Sequence, residues 1–436
     1  MITRGDKAVG TNEVGPNEVG PNEVGPNEVG PKEVGPNEVG PKEVGPNEVG
    51  PNEVGPNEQV ILAGASCRAV ARSFVQAGYE PICFDLFADY DLAKQCQTTQ
   101  VEWANWPFGI LPYLNPLKGI PFVYTGGLEN HGDFLRQVAL SHPLWGNHPD
   151  VNEPIRDPFF LEMELKSRGL FFPPILPAGS SIPEPSIWML KPLKSSGGLG
   201  ICLAKAHSIV PKGFYAQRQI VGMDISLSLL IGAKGHEVLL WAKGLECREL
   251  LGCPEFGYVG SHWPAERLPP FLDHSLVLAL GVLLSKTIGL KGWVGIDFKV
   301  DALGHCYILE VNPRYTASME LWERGHNQSF AKGHVACVKG QEWNGFSFHS
   351  DPVPQTKAIL YAKKPIALSA GFTWSTVTKT LESKHNIEVC DLPRPGTKIA
   401  KGAPILTIIE KGTRWPDLES RLRPLIFDLE RTVEQS

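Results

Sequence analysis

Nine tandem pentapeptides fill residues 12–56, seven of them Asn-Glu-Val-Gly-Pro and two opening on Lys32 and Lys42. A period of five fits neither the helical repeat of about 3.6 residues nor the strict alternation of a strand. A proline in every unit removes a backbone donor, so neither helix nor sheet ladder can run through the tract. One valine per unit cannot offset a backbone ordering cost of about 1–2 kcal/mol per residue. Residues 1–58 therefore read as a disordered, acidic, extended tail, of the kind an expanded coding repeat leaves, rather than as a binding arm. Folding is expected to begin at Gln59.

The tail also accounts for the charge. It carries four basic and eleven acidic side chains, a net −7, against −6 for the whole chain and so +1 for the other 378 residues. A nearly neutral body argues against a nucleic-acid groove. No run approaches the roughly 18 apolar residues of a membrane span, and the N-terminus has no apolar signal region. The nine cysteines are scattered without a C-x-x-C pair, as expected of reduced thiols in a cytoplasmic protein.

The body is long enough for two or three domains of about 100–200 residues each. Val60-Ile-Leu-Ala-Gly64 and Pro81-Ile-Cys-Phe-Asp85 read as buried parallel strands flanking a helix, a βαβ opening with a Gly-x-Ser turn in place of a full dinucleotide fingerprint. Asp85, at a strand end, is either a ligand contact or a turn former. A helix is expected over Phe159–Arg168, stopped by Gly169, and another from Pro270 to Ile288. A small β-rich segment should follow Gln355.

Two stretches carry chemistry. In Trp188–Ile201, a strand bearing Lys191 runs into Ser195-Ser196-Gly197-Gly198-Leu-Gly200 and on to a second strand. Small residues let backbone N–H groups approach phosphate oxygens, and a strand lysine fixes a positive charge beside them. A hairpin with a surface lysine would look the same. In the second stretch, Trp293-Val-Gly-Ile-Asp297 and Cys306-Tyr-Ile-Leu-Glu310-Val-Asn312-Pro-Arg314 read as adjacent strands. Glu310 and Asn312 are two apart and share a face. A carboxylate in an apolar strand is expensive unless paired or metal-bound, and this oxygen donor set suits Mg²⁺. Arg314 could fork onto a carboxylate or phosphate. A salt-bridged hairpin end is the plain alternative.

Taken in order, Lys191, the Ser195–Gly200 loop, Gln217 to Gly222, Asp297 and Glu310-Val-Asn-Pro-Arg314 resemble the ATP-grasp superfamily, over about residues 59–412. Within it the chain resembles the predicted ATP-dependent carboligases related to biotin carboxylase. The resemblance implies an α/β (α+β) ATP-grasp fold: a Rossmann-like pre-ATP-grasp domain over 59–150, the ATP-grasp domain over 151–350 and a small β-rich C-terminal domain over 351–436. It implies ATP, with Mg²⁺ or Mn²⁺, as cofactors. Lys191, Ser195, Ser196, Gly197 and Gly198 match the phosphate-binding set, with Arg156 where a lysine is usual. Gln217 falls at the adenine hinge, where Glu is common, and Asp224 at the ribose position. Asp297, Glu310 and Asn312 match the metal ligands, and Arg314 the catalytic arginine. The implied reaction is ADP-forming ligation of a small-molecule carboxylate to an amine or thiol, in the setting of tetrahydromethanopterin- or methanofuran-linked one-carbon cofactors. The rivals are a bicarbonate-activating enzyme like biotin carboxylase and a nucleotide-binding protein without turnover. No biotinyl-lysine motif occurs. A homo-oligomer is compatible with the family. Substrate specificity is expected in the N-terminal domain and in Trp241–Pro264, where Glu246, Arg248, Tyr258 and His262 either read substrate or pack and cap.

Overall fold

The computed structural model describes residues 58–233, 235–265, 274–346, 352–385, 387–412 and 418–434. The reading of residues 1–58 as a tail lies outside them except at Glu58, whose carbonyl accepts from Glu80 N at 3.0 Å beside the first strand; the boundary expected at 350–351 also lies outside.

The first sheet holds β1 (Gln59–Gly64), β2 (Glu80–Asp85), β3 (Gln97–Gln100) and β4 (Phe122–Tyr124) in the order β3-β2-β1-β4. All three pairings are parallel, with Ile61 opposite both Ile82 and Phe122. Val60 to Ala63 are fully buried, as a strand covered on both faces requires. The helix Arg68–Gln76 makes the first crossover. The expected βαβ opening is present.

Two helices lead out of this unit. Pro149–Arg156 stops at Asp157 because Pro158 disfavours helical backbone in the residue before it. Asp157 then caps the next helix, Pro158–Lys166, its Oδ1 accepting from Phe159 N at 2.9 Å. That helix ends two residues short of the expected Arg168, and Gly169 follows at φ +70°.

A small antiparallel sheet comes next: β5 (Ile175–Leu176), β6 (Trp188–Pro192), β7 (Cys202–Leu203) and β8 (Phe214–Arg218), in the order β5-β8-β6-β7. It carries the Gly/Ser loop between β6 and β7.

The largest sheet has eight strands. β9 (Met223–Gly232), β10 (Gly235–Gly244), β11 (Gly260–Trp263), β12 (Gly292–Val300), β13 (Cys306–Asn312) and β14 (Gln355–Tyr361) are joined by β16 (Ile387–Cys390) and β18 (Pro404–Lys411). Their order is β13-β12-β9-β10-β11-β14-β18-β16. β15 (Ile366–Ala367) and β17 (Lys398–Ile399) form a separate two-stranded ribbon. The C-terminal strands thus extend the sheet of β9–β13 through the β11–β14 pairing.

Alternation divides this sheet into two faces. Ile225, Leu227, Leu229 and Ile231 of β9, with Val294, Ile296, Phe298 and Val300 of β12, enter an apolar core with the helix His274–Val282. That helix continues as a π-helical turn to Ile288, and Gly289 ends it at φ +84°. The start expected at Pro270 lies outside the described residues. The opposite face carries Asp224, Ser226, Asp297 and Lys299, paired across β9 and β12 as Ser226 with Asp297 and Asp224 with Lys299.

One irregularity shapes the polar face. Asp297 pairs with Glu310, but Phe298 pairs with Ile308, so Leu309 is an extra residue in β13. The bulge sends Ile308 into the core, where it is fully buried, and Glu310 to the polar face, although both sit at even positions.

Candidate active site

Asp297 and Glu310 face each other across the β12–β13 pairing, and Asn312 joins them. Its Nδ2 donates to Asp297 Oδ2 and to Glu310 Oε1, each at 3.1 Å. Its Oδ1 accepts from Arg156 Nη1 at 3.3 Å and Arg314 Nη2 at 3.2 Å. Ser226 Oγ donates to Asp297 Oδ1 at 2.7 Å. Sequence reading missed Ser226, although its polar interruption of the apolar β9 pattern was a usable signal.

The two acids titrate apart. Burial first, then the Glu310 charge, pushes the Asp297 carboxyl up to about 7. Burial works against the Glu310 charge as well, but the Arg156 and Lys191 cations outweigh it and hold that group at about 2.

Lys191 extends from β6, its Nζ donating to Gln217 Oε1 of β8 at 2.8 Å. Burial lowers its pKa, and the neighbouring Glu310 charge opposes that. Gln217 is fully buried, and its Nε2 has no hydrogen-bond partner. Asp224 sits at the rim of the polar face, half exposed, with its Oδ1 2.7 Å from Lys299 Nζ.

The Gly/Ser loop lies over this cluster. Gly197, Gly198 and Gly200 have φ of +63°, +80° and +76°, a region other residues enter at a cost. At Gly198 space is limiting too, because a Cβ there would stand 1.9 Å from Phe256 O. Arg248 braces the receiving turn, donating to Pro254 O at 2.7 Å and Gly257 O at 2.6 Å. Ser195 Oγ donates within the loop, to Leu199 O at 2.5 Å. Ser196 Oγ lies 3.9 Å from a Cβ built on Gly127.

Arg156 sits differently from a simple phosphate cation. It reaches Ser195 O at 3.0 Å, Val311 O at 3.2 Å, Glu310 Oε2 at 3.5 Å and Asn130 Oδ1 at 3.3 Å. It ties the loop to β13 and to the first unit. Arg314 Nε donates to Glu129 Oε1 at 2.7 Å, and Nη1 to Tyr315 O at 3.2 Å. Glu129 and Asn130, both from the first unit, carried no local sequence signal.

Among the remaining sequence candidates, Asp85 is a turn former. It accepts backbone bonds from Cys67, Phe87 and Ala88 at 2.5, 2.8 and 2.7 Å. Tyr258 Oη is 2.8 Å from Ser261 Oγ, His262 Nδ1 is 2.8 Å from Thr356 Oγ1, and Glu246 pairs with Lys243 at 3.2 Å.

A family model described as an ATP-grasp domain matches residues 155–318, the stretch from Arg156 to just past Arg314. The chain carries an ATP-grasp domain. Solved structures extend the likeness over the rest of the described fold. The biotin carboxylase domain of Hydrogenobacter thermophilus 2-oxoglutarate carboxylase, solved with MgADP, ADP and bicarbonate, superposes with a TM-score of 0.60 at 15% identity, covering 84% of this chain and 89% of that one. N5-carboxyaminoimidazole synthetase from Staphylococcus aureus, complexed with ADP, gives 0.60 at 14%, covering 86% and 98%. L-amino acid ligase from Bacillus licheniformis gives 0.62 at 14%, covering 86% and 98%. At these identities the likeness is one of fold. A search of curated proteins returns no match. The ATP-grasp fold expected from the sequence is therefore present, and among the described residues no helix is long and apolar enough to cross a membrane.

Proposed function

We propose that this protein is an ATP-dependent, ADP-forming ligase that activates a substrate carboxylate as an acyl phosphate for attack by an amine or thiol. The observation that carries this reading is the convergence of Asp297, Glu310, Lys191 and Arg314 beneath a glycine loop. Adenine would meet Gln217, whose buried Nε2 lacks a partner, and the ribose would meet Asp224. The phosphates would lie among Lys191, Arg156 and the Ser195, Ser196, Gly197 and Gly198 backbone.

The acid pair fits a divalent cation. Burial first and the Glu310 charge second raise the Asp297 carboxyl, and a divalent cation held by the two carboxylates would favour their ionised forms. No group of three or more His, Cys, Asp or Glu able to hold a metal occurs among the described residues. Two carboxylates completed by substrate phosphates is the usual Mg²⁺ arrangement, and Mn²⁺ would suit it too. Asn312 now presents its amide nitrogen to both acids, so to act as a ligand it must turn its oxygen inward. The bound ion would neutralise charge on the β and γ phosphates.

The remaining steps fall to the protein. Arg314 retains an N–H on each terminal nitrogen for the substrate oxyanion. A carboxylate oxygen attacks the γ phosphorus, the bond to the β-phosphate oxygen breaks and ADP forms. The nucleophile then attacks the acyl carbon, phosphate departs, and the nucleophile's proton passes to solvent. The closed loop keeps water from the acyl phosphate.

The test is ADP formation from MgATP in the presence of pooled carboxylic acids and amines, including those of one-carbon cofactor synthesis. Substrate-dependent ADP release that Asp297→Asn slows about 10²–10³-fold is expected. Tight MgATP binding without ADP release in any pool would leave a nucleotide-binding protein without turnover. The likeness to a domain solved with bicarbonate favours one second reading, a bicarbonate-activating enzyme. Stimulation by bicarbonate plus free biotin, with none by other acids, would select it.

A further inference from the structure

We propose that Glu129 and Asn130, in the turn after β4, are positioning residues through which the first unit aligns Arg314 and latches the glycine loop. The proposal rests on the ligase reading for its purpose but not for its geometry. The two residues lie on a one-turn helix, Leu128–Asn130, that follows Gly127 at φ +99°. The turn is pinned to the first sheet. Thr125 N donates to Ala63 O at 2.7 Å, Ala65 N donates to Gly126 O at 3.0 Å, and Leu128 is fully buried in the core of that unit.

From this fixed base two neighbouring side chains reach two different parts of the site. Glu129, 2% exposed, receives Arg314 Nε at 2.7 Å, while the guanidinium carbon of Arg314 packs 3.5 Å from where a Gly126 Cβ would stand. The guanidinium is thereby held by a unit other than its own, with its terminal nitrogens left toward Asn312 and Tyr315. Asn130 Nδ2 donates to the carbonyl of Ser195, where the glycine loop begins, at 3.1 Å, and Asn130 Oδ1 accepts from Arg156 Nε at 3.3 Å. Arg156 donates to the same Ser195 carbonyl. The arginine expected to meet the acid and the loop expected to cover the phosphates are thus registered against one rigid turn. A shift of that turn must move both.

The experiment is backbone hydrogen exchange over Ser195–Ile201 in the ligand-free full-length protein, with melting temperature and calorimetric affinity for a magnesium-bound non-hydrolysable ATP analogue. Asn130→Asp keeps the acceptor for Arg156 and loses the donor to Ser195, so it isolates the latch, while Asn130→Ala removes both. Each should speed loop exchange about tenfold, the effect of one lost hydrogen bond, with little change in melting temperature. Glu129→Gln should leave loop exchange as in the wild type but speed exchange of the Arg314 Nε–H several-fold, that signal being assigned by its loss in Arg314→Lys. Unchanged loop exchange in Asn130→Asp overturns the latch. So does a general rise in exchange across the first unit with a lower melting temperature, which would assign these residues to fold stability. If the wild type fails to bind the analogue, the nucleotide reading falls, and the exchange result still decides the latch.

Discussion

Two groups of carboxylates lie over the polar side of the eight-stranded sheet, one buried and one partly open, and they are balanced in opposite ways. Glu320 is fully buried, and its oxygens receive Arg68 at 2.6 and 2.8 Å, Lys357 at 2.8 Å and Arg324 at 2.9 Å. Arg68 comes from the first unit and also binds Asp391 at 2.6 Å, so the cluster joins the N-terminal helix, the sheet and the C-terminal segment. Burial works against the Glu320 charge, but the Arg68, Lys357 and Arg324 cations hold its pKa well below the carboxylate range. Asp297 and Glu310 share their cations instead, and Asp297 is left near 7. A buried acid with its countercharge supplied by the protein fixes structure. One met directly only by neutral donors, as Asp297 is by Ser226 and Asn312, is ready to take a cation from outside.

The largest effect expected is on stability at the balanced cluster. Glu320→Ala leaves three cations facing a hole, and chemical denaturation should find a loss of about 3–5 kcal/mol. A loss comparable to that of an ordinary surface substitution would erase the contrast between the two clusters.

At the unbalanced pair the loss should be in rate. Asp297→Asn and Glu310→Gln keep shape, and single-turnover ADP formation should fall about 10²–10³-fold with the fold intact. Folded variants that turn over normally would make this pair a structural hairpin end and sink the ligase mechanism.

Nucleotide affinity should respond next. Lys191→Ala loses a charged contact of roughly 1.5–3 kcal/mol, and calorimetry with MgATP should report it. Equal affinity in variant and wild type would remove the phosphate role.

The smallest effect, and the sharpest on the comparison, is pH dependence. Asp297 holds its proton in the folded state up to about 7 but loses it near the usual carboxylate range when unfolded. Its contribution to stability is therefore largest at acid pH and declines as pH rises through that window. Glu320 has the reverse sign, its contribution being present above the ordinary carboxylate pKa and lost as pH falls further. Asp297→Asn should thus gain stability relative to wild type as pH rises from 5 to 8. Urea midpoints at pH 5 and pH 8 for Asp297→Asn and wild type measure this. A variant that loses stability relative to wild type over that range would place Asp297 among the balanced acids.

Much of the site was legible because its chemistry is local. Lys191 and the Gly/Ser loop adjoin in sequence, as do Glu310, Asn312 and Arg314, and two-residue spacing put Glu310 and Asn312 on one face. The roles of Arg156 and Asn312 were harder to read. Arg156 is knotted to Ser195, Asn130 and β13, and Asn312 turns nitrogen rather than oxygen to the acids. Both outcomes depend on partners that arrive from distant segments.

The sequence by itself determined the pieces: which runs become buried strands, where proline and glycine stop helices, and which polar residues interrupt apolar runs. These follow from periodicity and backbone sterics, which act over a few residues. Only the tertiary structure decided the bulge at Leu309, which separates Ile308 from Glu310 despite their matching parity. It also decided that Glu129 and Asn130, nearly two hundred residues before Arg314, complete its surroundings, and that Arg68, Lys357 and Arg324 converge on Glu320 while Asp297 is met by the neutral Ser226 and Asn312. Charge balance inside a protein depends on distance in space, and for these residues chain order carries no record of it.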